Sequence, residues 1–349
     1  MDEGAKGDVV ASDSAIEVDA AWRFFLFNWI VIGSMGTVLA LSLVTSNFSI
    51  GLTGLAISVG YVGLYAGFAH ANANSPRRRD PQVMFVLAGI AQLVLITAIM
   101  TPLTYVAAAI NLPMQDGNLL AVDKMLGFDW AAYVRFIDAR PALAALLNCG
   151  YTMIRWPIFA IPIMLAAKGC FRRIEEFTFA FGLALVVTTI ISALVPAIGV
   201  YREIGIDPLS LPNIDPNAYL DQLRDLPPTR DGTLRHLDLL GLGGIVTFPS
   251  FHAASAILYG WALWPIKWAR PIIIPLNALM LAATPANGGH YFIDIIAGVA
   301  IAAAAIVAAR YVGQLVAERR FGFGLLTPEP AVVAAAPAPA PISAPAVAK

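Results

Sequence analysis

The sequence predicts an all-α polytopic membrane protein with about eight transmembrane helices, and three observations carry that prediction. Hydrophobic residues make up 58% of the 349 and charged residues only 13%, whereas a soluble domain keeps about a quarter of its residues charged. The mean hydropathy is correspondingly high, at +0.73. Apolar runs long enough to cross a bilayer core, roughly 17–25 residues, recur along the chain, and Lys and Arg gather in alternate short loops between them. The net charge of −1 and the lack of an arginine-rich stripe argue against nucleic acid as a partner.

Residues 1–21 form a polar, acidic N-terminal segment, expected on the cytoplasmic side. The run Phe24–Val44 that follows is a first span of about 21 residues. A cleaved signal peptide competes, with Ala40 and Ser42 as a small-x-small site, but the run is long for a signal core and its leader is acidic. Ile50–Ala69 is a second span. It ends in a short loop holding His70 and Arg77, Arg78 and Arg79, which weigh in the topology count rather than forming a site. Val83–Ile110 closes an N-terminal transmembrane unit over 22–110.

A membrane domain is expected over 111–320. Its first part, 111–141, carries Leu119, Leu120, Met125, Leu126, Trp130, Tyr133, Val134 and Ile137 at helix-like intervals among charges and reads as interfacial. The fourth span, Ala142–Ala167, contains Arg155. A charge inside an apolar run is costly unless it is paired or functional, so Arg155 is a candidate site residue. Lys168, Arg172 and Arg173 mark a cytoplasmic turn before the fifth span, Phe177–Val200. Cys149 and Cys170 fall at opposite ends of the fourth run, where they cannot bridge, and read as small buried apolar residues.

The stretch 201–247 is a long outer loop with Pro208, Pro212, Pro216, Pro227 and Pro228 and the arginines Arg202, Arg224, Arg230 and Arg235. Its length without evident secondary structure suggests a lid or substrate rim, and His236 within it reads as structural. Ser250–Ile266, Pro271–Pro285 and His290–Val312 complete the spans. About 13 Lys and Arg on one side against about 7 on the other place both termini in the cytoplasm and the long loop outside. An Ala/Pro-rich tail, 321–349, reads as a disordered linker.

Two polar clusters, FPSFH (248–252) and GGHYFID (288–294), carry the chemistry. His290 and Asp294 are four apart, so on a helix they share a face and the carboxylate can hold the imidazole Nδ1 proton, freeing Nε2 as nucleophile or base. Ser250 is a natural N-cap that puts His252 in a first helical turn. Gly288 and Gly289 allow close approach of a ligand, and the helix start behind them offers N–H groups to an anion. With two passes between them, both clusters return to one membrane face. A phosphoryl group suits such a site: one histidine attacks, the other protonates the leaving oxygen, and the carboxylate orients the nucleophile.

FPSFHA (248–253) and GHYFIDIIAG (289–298) resemble the second and third motifs of the type 2 phosphatidate phosphatase superfamily. The resemblance implies a phosphatase-like helical core, with His252 as general acid, His290 as a nucleophile passing through a phosphohistidine, and Asp294 as its orienter. It implies no metal and no cofactor, and a lipid phosphate or phospholipid as substrate. Departures accompany it. Ala283 and Thr284 stand where the family has a Ser-Arg pair, and a Lys-x6-Arg-Pro motif is missing, so positive charge for a phosphate must come from Arg155, Arg202, Arg230 or Arg235, with Ser250, Gly288 and Gly289 completing the substrate site. The wording without Ser-Arg is more similar to the branch containing inositol phosphorylceramide synthases, which raises an alcohol as acceptor and a head-group transferase as the alternative.

A transporter using His252, His290 and Asp294 as a proton relay is the rival of another class. It lacks matched broken helices in the sequence. A zinc hydrolase is weaker, since no HExxH accompanies the pair. The expectation is an integral enzyme of a bacterial inner membrane, its site facing the periplasm.

Overall fold

The computed structural model describes residues 3–75 and 80–318, and the side chains of all but 3–15 and 73 among them. Arg77, Arg78, Arg79 and the 321–349 tail lie outside the described residues. The chain runs α1 (Glu3–Thr45), a two-residue strand β1 (Ser49–Ile50), α2 (Leu52–Ala73), α3 (Pro81–Ala108), α4 (Asp116–Met125), α5 (Trp130–Asp138) and α6 (Pro141–Thr152). A 3-10 turn, Met153–Arg155, leads into α7 (Pro157–Ala166) and α8 (Phe171–Leu194). The outer loop holds α9 (Val200–Glu203), α10 (Asn217–Asp231) and β2 (His236–Leu237), and α11 (Phe251–Ala262), α12 (Arg270–Gly288) and α13 (Phe292–Ala317) follow.

Six of these helices are long and apolar enough to cross a membrane, and a seventh crossing results if α6 and α7, bent by 64° at Arg155–Trp156, count as one span. The architecture is the expected all-α polytopic one. The difference from eight lies in Ser250–Ile266, whose helix, α11, has only 12 residues. That is about 18 Å at 1.5 Å per residue, against about 30 Å of hydrocarbon.

Local chemistry sets the helix starts. Asp80 accepts from Gln82 N–H with Pro81 in the first turn of α3, and Asp129 accepts from Ala132 N–H at α5, both standard N-cap arrangements. The helix α1 runs from Glu3 without a break between the acidic segment and the span. Arg172 and Arg173, expected in a turn, sit in the first turn of α8 and pair with Glu176. Cys149 is exposed rather than buried, and both cysteines are free thiols.

The core is where α1, α3, α8, α11 and α13 converge, with Phe85, Leu93, Ile174, Phe177, Leu258 and Ala305 fully enclosed. Small residues allow this close packing, as they do between helices in lipid. A Cβ at Gly89 would lie 2.8 Å from the Ile174 side chain, and one at Gly298 only 2.2 Å from the Ser250 carbonyl oxygen.

The outer loop is structured, contrary to expectation. Its 15-residue helix α10 contains Pro227 and Pro228, each of which removes one N–H from the helix ladder, so contacts outside the helix help to hold it. Three contacts dock it. Tyr105 at the end of α3 donates to Asp225 (2.7 Å), a carboxylate that Arg224 of the same helix also binds; the Tyr105 hydroxyl lies 3.2 Å from the Gly243 carbonyl; and β2 pairs in parallel with β1 through Ser49–His236 and Ile50–Leu237. His236 Nδ1 meets Ser49 Oγ at 2.9 Å, which fits the structural role expected of it.

Candidate active site at the start of two helices

Both polar clusters fall at one end of the bundle, where α11 and α13 begin and α12 ends. His290 does not lie on the face of a helix with Asp294; it precedes α13, whose N-cap is Tyr291. The pair meets all the same, because Asp294 reaches back from the first turn and its Oδ2 accepts from Tyr291 N–H (2.9 Å) while His290 Nδ1 lies 3.1 Å away. Helix capping, rather than shared helical periodicity, therefore sets the geometry. Asp294 is completely buried, and its Oδ1 has no partner among the described residues.

His252 occupies the first turn of α11, with Ser250 as N-cap accepting from Ala253 N–H at 3.3 Å. The rings of His252 and His290 are 6.5 Å apart, centroid to centroid. The two helix starts are tied directly: Ser250 N–H donates to the Asp294 carbonyl (3.0 Å), and the missing side chain of Gly298 lets the Ser250 carbonyl pack against α13.

Two residues that the sequence did not single out complete the frame from a distance. Asp123 of α4 accepts from both Phe292 N–H and Ile293 N–H at 2.8 Å. Burial pushes its carboxyl up from the ordinary range, and those two amide donors pull it back. Asp116 accepts from Ile198 N–H (3.0 Å), Gly199 N–H (2.9 Å) and the Tyr291 hydroxyl (3.0 Å). Trp130 of α5 donates to the His290 carbonyl at 3.1 Å. The segment 111–141 folds into two short helices, α4 and α5, and it builds the frame of the site. No local spacing could have revealed this, because Asp123 and Phe292 are 169 residues apart.

One expectation is corrected here. The first amides of α13 are consumed by Asp294 and Asp123, so that helix end offers no free N–H groups to an anion. The start of α11 does: the amides of Phe251 and His252 have no partner among the described residues, and a helix N-terminus of this kind attracts negative charge. The two glycines also differ. Gly289, at φ +64°, is packed against Tyr219 and Tyr201, whereas a Cβ at Gly288 would lie 3.1 Å from His290 Nε2 and 2.8 Å from the Tyr151 hydroxyl. The lack of a side chain at Gly288 therefore lets His290 and Tyr151 close directly over the backbone.

Tyr151 of α6 is the third residue the sequence did not single out. Its ring stacks on His252, with centroids 4.1 Å apart and planes 12° from parallel, while its hydroxyl reaches toward His290. Four residues on stands Arg155, exposed at the kink; burial first, then His290 and the charge of Arg155, push the His252 imidazole down from its ordinary range. Arg155 has no ion pair among the described residues, and the turn carrying it is held by Tyr259, whose hydroxyl donates to the Ile154 carbonyl (2.8 Å).

The other candidate arginines separate. Arg202 is exposed on α9, whose first residue, Val200, donates to the Gly289 carbonyl (2.9 Å). Arg230 donates to the Leu112 carbonyl (2.7 Å) and Arg235 to the Thr229 carbonyl (2.7 Å), and Arg235 also lies over the Phe48 ring. The contacts of these last two stitch the outer loop together and involve neither histidine. Ala283 and Thr284 are fully buried in α12, so the positions of the missing Ser-Arg pair face protein rather than ligand.

A family model described as the PAP2 superfamily matches residues 117–308, more than half of the chain. The chain belongs to the PAP2 superfamily. The match takes in Tyr151, Arg155, His252, His290 and Asp294 and leaves α1, α2 and α3 outside. No curated protein and no solved structure matches the chain. Membership of the PAP2 superfamily supports a phosphatase- or phosphotransferase-type activity, and a lipid phosphate is consistent with it.

Proposed function

We propose that the protein is an integral membrane lipid phosphatase or phosphotransferase, working at the outer membrane face through a phosphohistidine at His290. The observation that carries this reading is the His290–Asp294 contact at 3.1 Å with His252 held across from it. Asp294 retains the Nδ1 proton, which leaves the Nε2 lone pair directed over Gly288. The substrate's negative charge beside His252 offsets the burial that otherwise keeps this imidazole neutral, so that as Nε2 attacks phosphorus and the bond from phosphorus to the lipid oxygen breaks, the protonated His252 gives its proton to that oxygen. His252, now neutral, takes a proton from the acceptor as the acceptor oxygen displaces His290 from phosphorus. Arg155 and the free amides at the start of α11 hold the phosphate oxygens in place of the absent Ser-Arg pair. The reaction needs no metal or cofactor.

The FPSFHA and HYFID wording without a Ser-Arg pair favours a second reading in which an alcohol such as inositol accepts the phosphoryl group. Product analysis with and without inositol separates the two, because a transferase makes a new phospholipid.

The test is to purify His290→Ala and Asp294→Ala and follow free phosphate and lipid products from phosphatidate, undecaprenyl pyrophosphate and phosphatidylinositol. A loss of about 10²–10⁴-fold or more is expected, with an acid-labile phosphoryl label on the wild-type protein that His290→Ala lacks. Unchanged turnover in either variant overturns the assignment.

A further inference from the structure

Far from the histidines, Arg173 presents a guanidinium whose donors are unused. Two groups fix its position: the plane lies over the Trp261 ring of α11, 4.4 Å from the centroid, and Nη1 stands 3.4 Å from a Glu176 oxygen. None of its N–H groups makes a hydrogen bond among the described residues, and Nη1 is enclosed without a partner. A guanidinium carries five donors in a rigid fork, and enclosing a donor unpaired is costly. The surroundings add positive charge. Glu176 is shared, since it also accepts from Arg172 Nε at 2.9 Å, and Glu17 spends an oxygen on the Arg172 backbone N–H (3.1 Å). Arg310 of α13 is near enough for its charge to oppose that of Arg173; it is exposed and has no ion pair among the described residues. Lys168, in the turn before α8, acts with Arg173 on Cys170. Four cations thus gather around two carboxylates, and Arg173 and Arg310 repel rather than pair.

The cluster lies at the end of the bundle opposite the candidate site. From Asp294 in the first turn of α13 to Arg310 is about 24 Å along the helix at 1.5 Å per residue, most of the roughly 30 Å of hydrocarbon. The helix α11 also begins at the histidines and ends at Ala262, next to Trp261. Just beyond it Trp264 and Trp268 are exposed, and Arg270 lies over the Trp264 ring, 4.5 Å from its centroid. Exposed indoles among basic side chains mark a membrane–water interface, so Arg173 and Arg310 sit at head-group depth.

We infer that Arg173 and Arg310 hold the head-group phosphate of an anionic lipid in the leaflet opposite the candidate site. Arg173, oriented in advance by Trp261, offers two N–H groups to two phosphate oxygens, and Arg310 supplies the second charge. The phosphate takes up the orphaned donor and removes the repulsion, so it ties α8 to α13 where two cations otherwise push them apart. Depth selects a lipid over a free ion: the Arg173 side chain is only 24% exposed and is backed by an indole, and a lipid phosphate reaches that level with its chains already in the apolar layer. The bound lipid is a second one, remote from His290, and its binding does not depend on the reaction proposed there.

Binding of a short-chain phosphatidylglycerol to the detergent-purified protein, followed by isothermal titration and by Tm, tests this. It should raise Tm and bind about tenfold or more tighter than a phosphatidylcholine of the same chains, whose choline neutralises the phosphate, and than inorganic phosphate. Arg310→Gln alters an exposed side chain without a hydrogen bond, so it should fold as wild type does and weaken binding about tenfold; Arg173→Lys, which keeps the charge but loses the fork, should weaken it similarly. Arg155→Ala should leave this binding intact, which separates it from occupancy of the histidine site. Equal affinity for phosphatidylcholine or for inorganic phosphate, unchanged binding in both Arg310→Gln and Arg173→Lys, or loss of binding in Arg155→Ala would each overturn the inference. Because binding is read without turnover, the activity of His290→Ala bears on the proposed reaction alone.

Discussion

Asp123→Ala tests whether a carboxylate on α4 holds the catalytic helix in place. The side chain is 1% exposed and makes two bonds of 2.8 Å to the first amides of α13. Hydrogen bonds to a charged group contribute about 1.5–3 kcal/mol each, so the pair is worth roughly 3–6 kcal/mol. Burial of the carboxylate, which pushes its pKa up, offsets part of that, leaving an expected net loss of about 2–4 kcal/mol. For a chain of this size that lowers Tm by roughly 3–5 °C. The freed amides of Phe292 and Ile293 lie in the chain between His290 and Asp294, so activity should fall as well, by at least tenfold at a temperature where the variant remains folded. Thermal unfolding of the detergent-purified protein, with turnover measured well below Tm, checks both. A Tm within 1 °C of wild type with unchanged turnover would show that α13 is positioned by its packing alone.

Other outcomes follow from the same geometry. Tyr151→Phe keeps the ring stacked on His252 and should retain turnover within about tenfold, whereas Tyr151→Leu should lose more than that and shift the pH profile of kcat; equal effects of the two would rule out the stack as the positioning element. Arg155→Ala should raise KM at least tenfold for a lipid phosphate, with Arg155→Lys recovering part of it, since both carry charge but only the guanidinium binds two oxygens at once. Arg155→Ala with unaltered KM and kcat would move the phosphate clamp to Arg202. The Asp225 carboxyl is pushed up by burial but pulled down further by Arg224 and Tyr105, so its folded pKa lies below the ordinary value. Its contribution is then present above about pH 4 and is lost as pH falls through the folded pKa. Protease cleavage of the outer loop should accordingly increase on acidification, and Asp225→Asn should be cleaved readily at neutral pH too; cleavage independent of pH would exclude this docking contact.

What could be read from the sequence was what lies close together along the chain. Ser250 and His252 share one helical turn, and His290 and Asp294 are held by one helix cap, so short motifs reported them even though the reason for the second pairing differed from the expected one. Arg155 was legible as a charge out of place in an apolar run. Asp116, Asp123, Tyr151 and Trp130 were not, because each meets its partner across 80 residues or more, and no periodicity encodes such a meeting. The outer-loop arginines were equivalent on composition; only the packing of α10 shows that Arg230 and Arg235 bind backbone carbonyls of the loop and its surroundings. The length of α11 was overestimated because apolar residues continue past Ala262 into a turn that hydropathy does not distinguish from helix.

The junction of Ser250, Asp294 and Gly298 has a mechanical meaning. With the backbone of α11 bonded to that of α13, and no side chain between them at Gly298, His252 and His290 belong to one jaw whose 6.5 Å separation is set by the backbone. The opposing jaw is the kinked segment of Tyr151 and Arg155, which meets α11 through a ring stack and a single hydroxyl. The bent segment at Arg155–Trp156 is therefore the side of the site tied less directly to the two histidines.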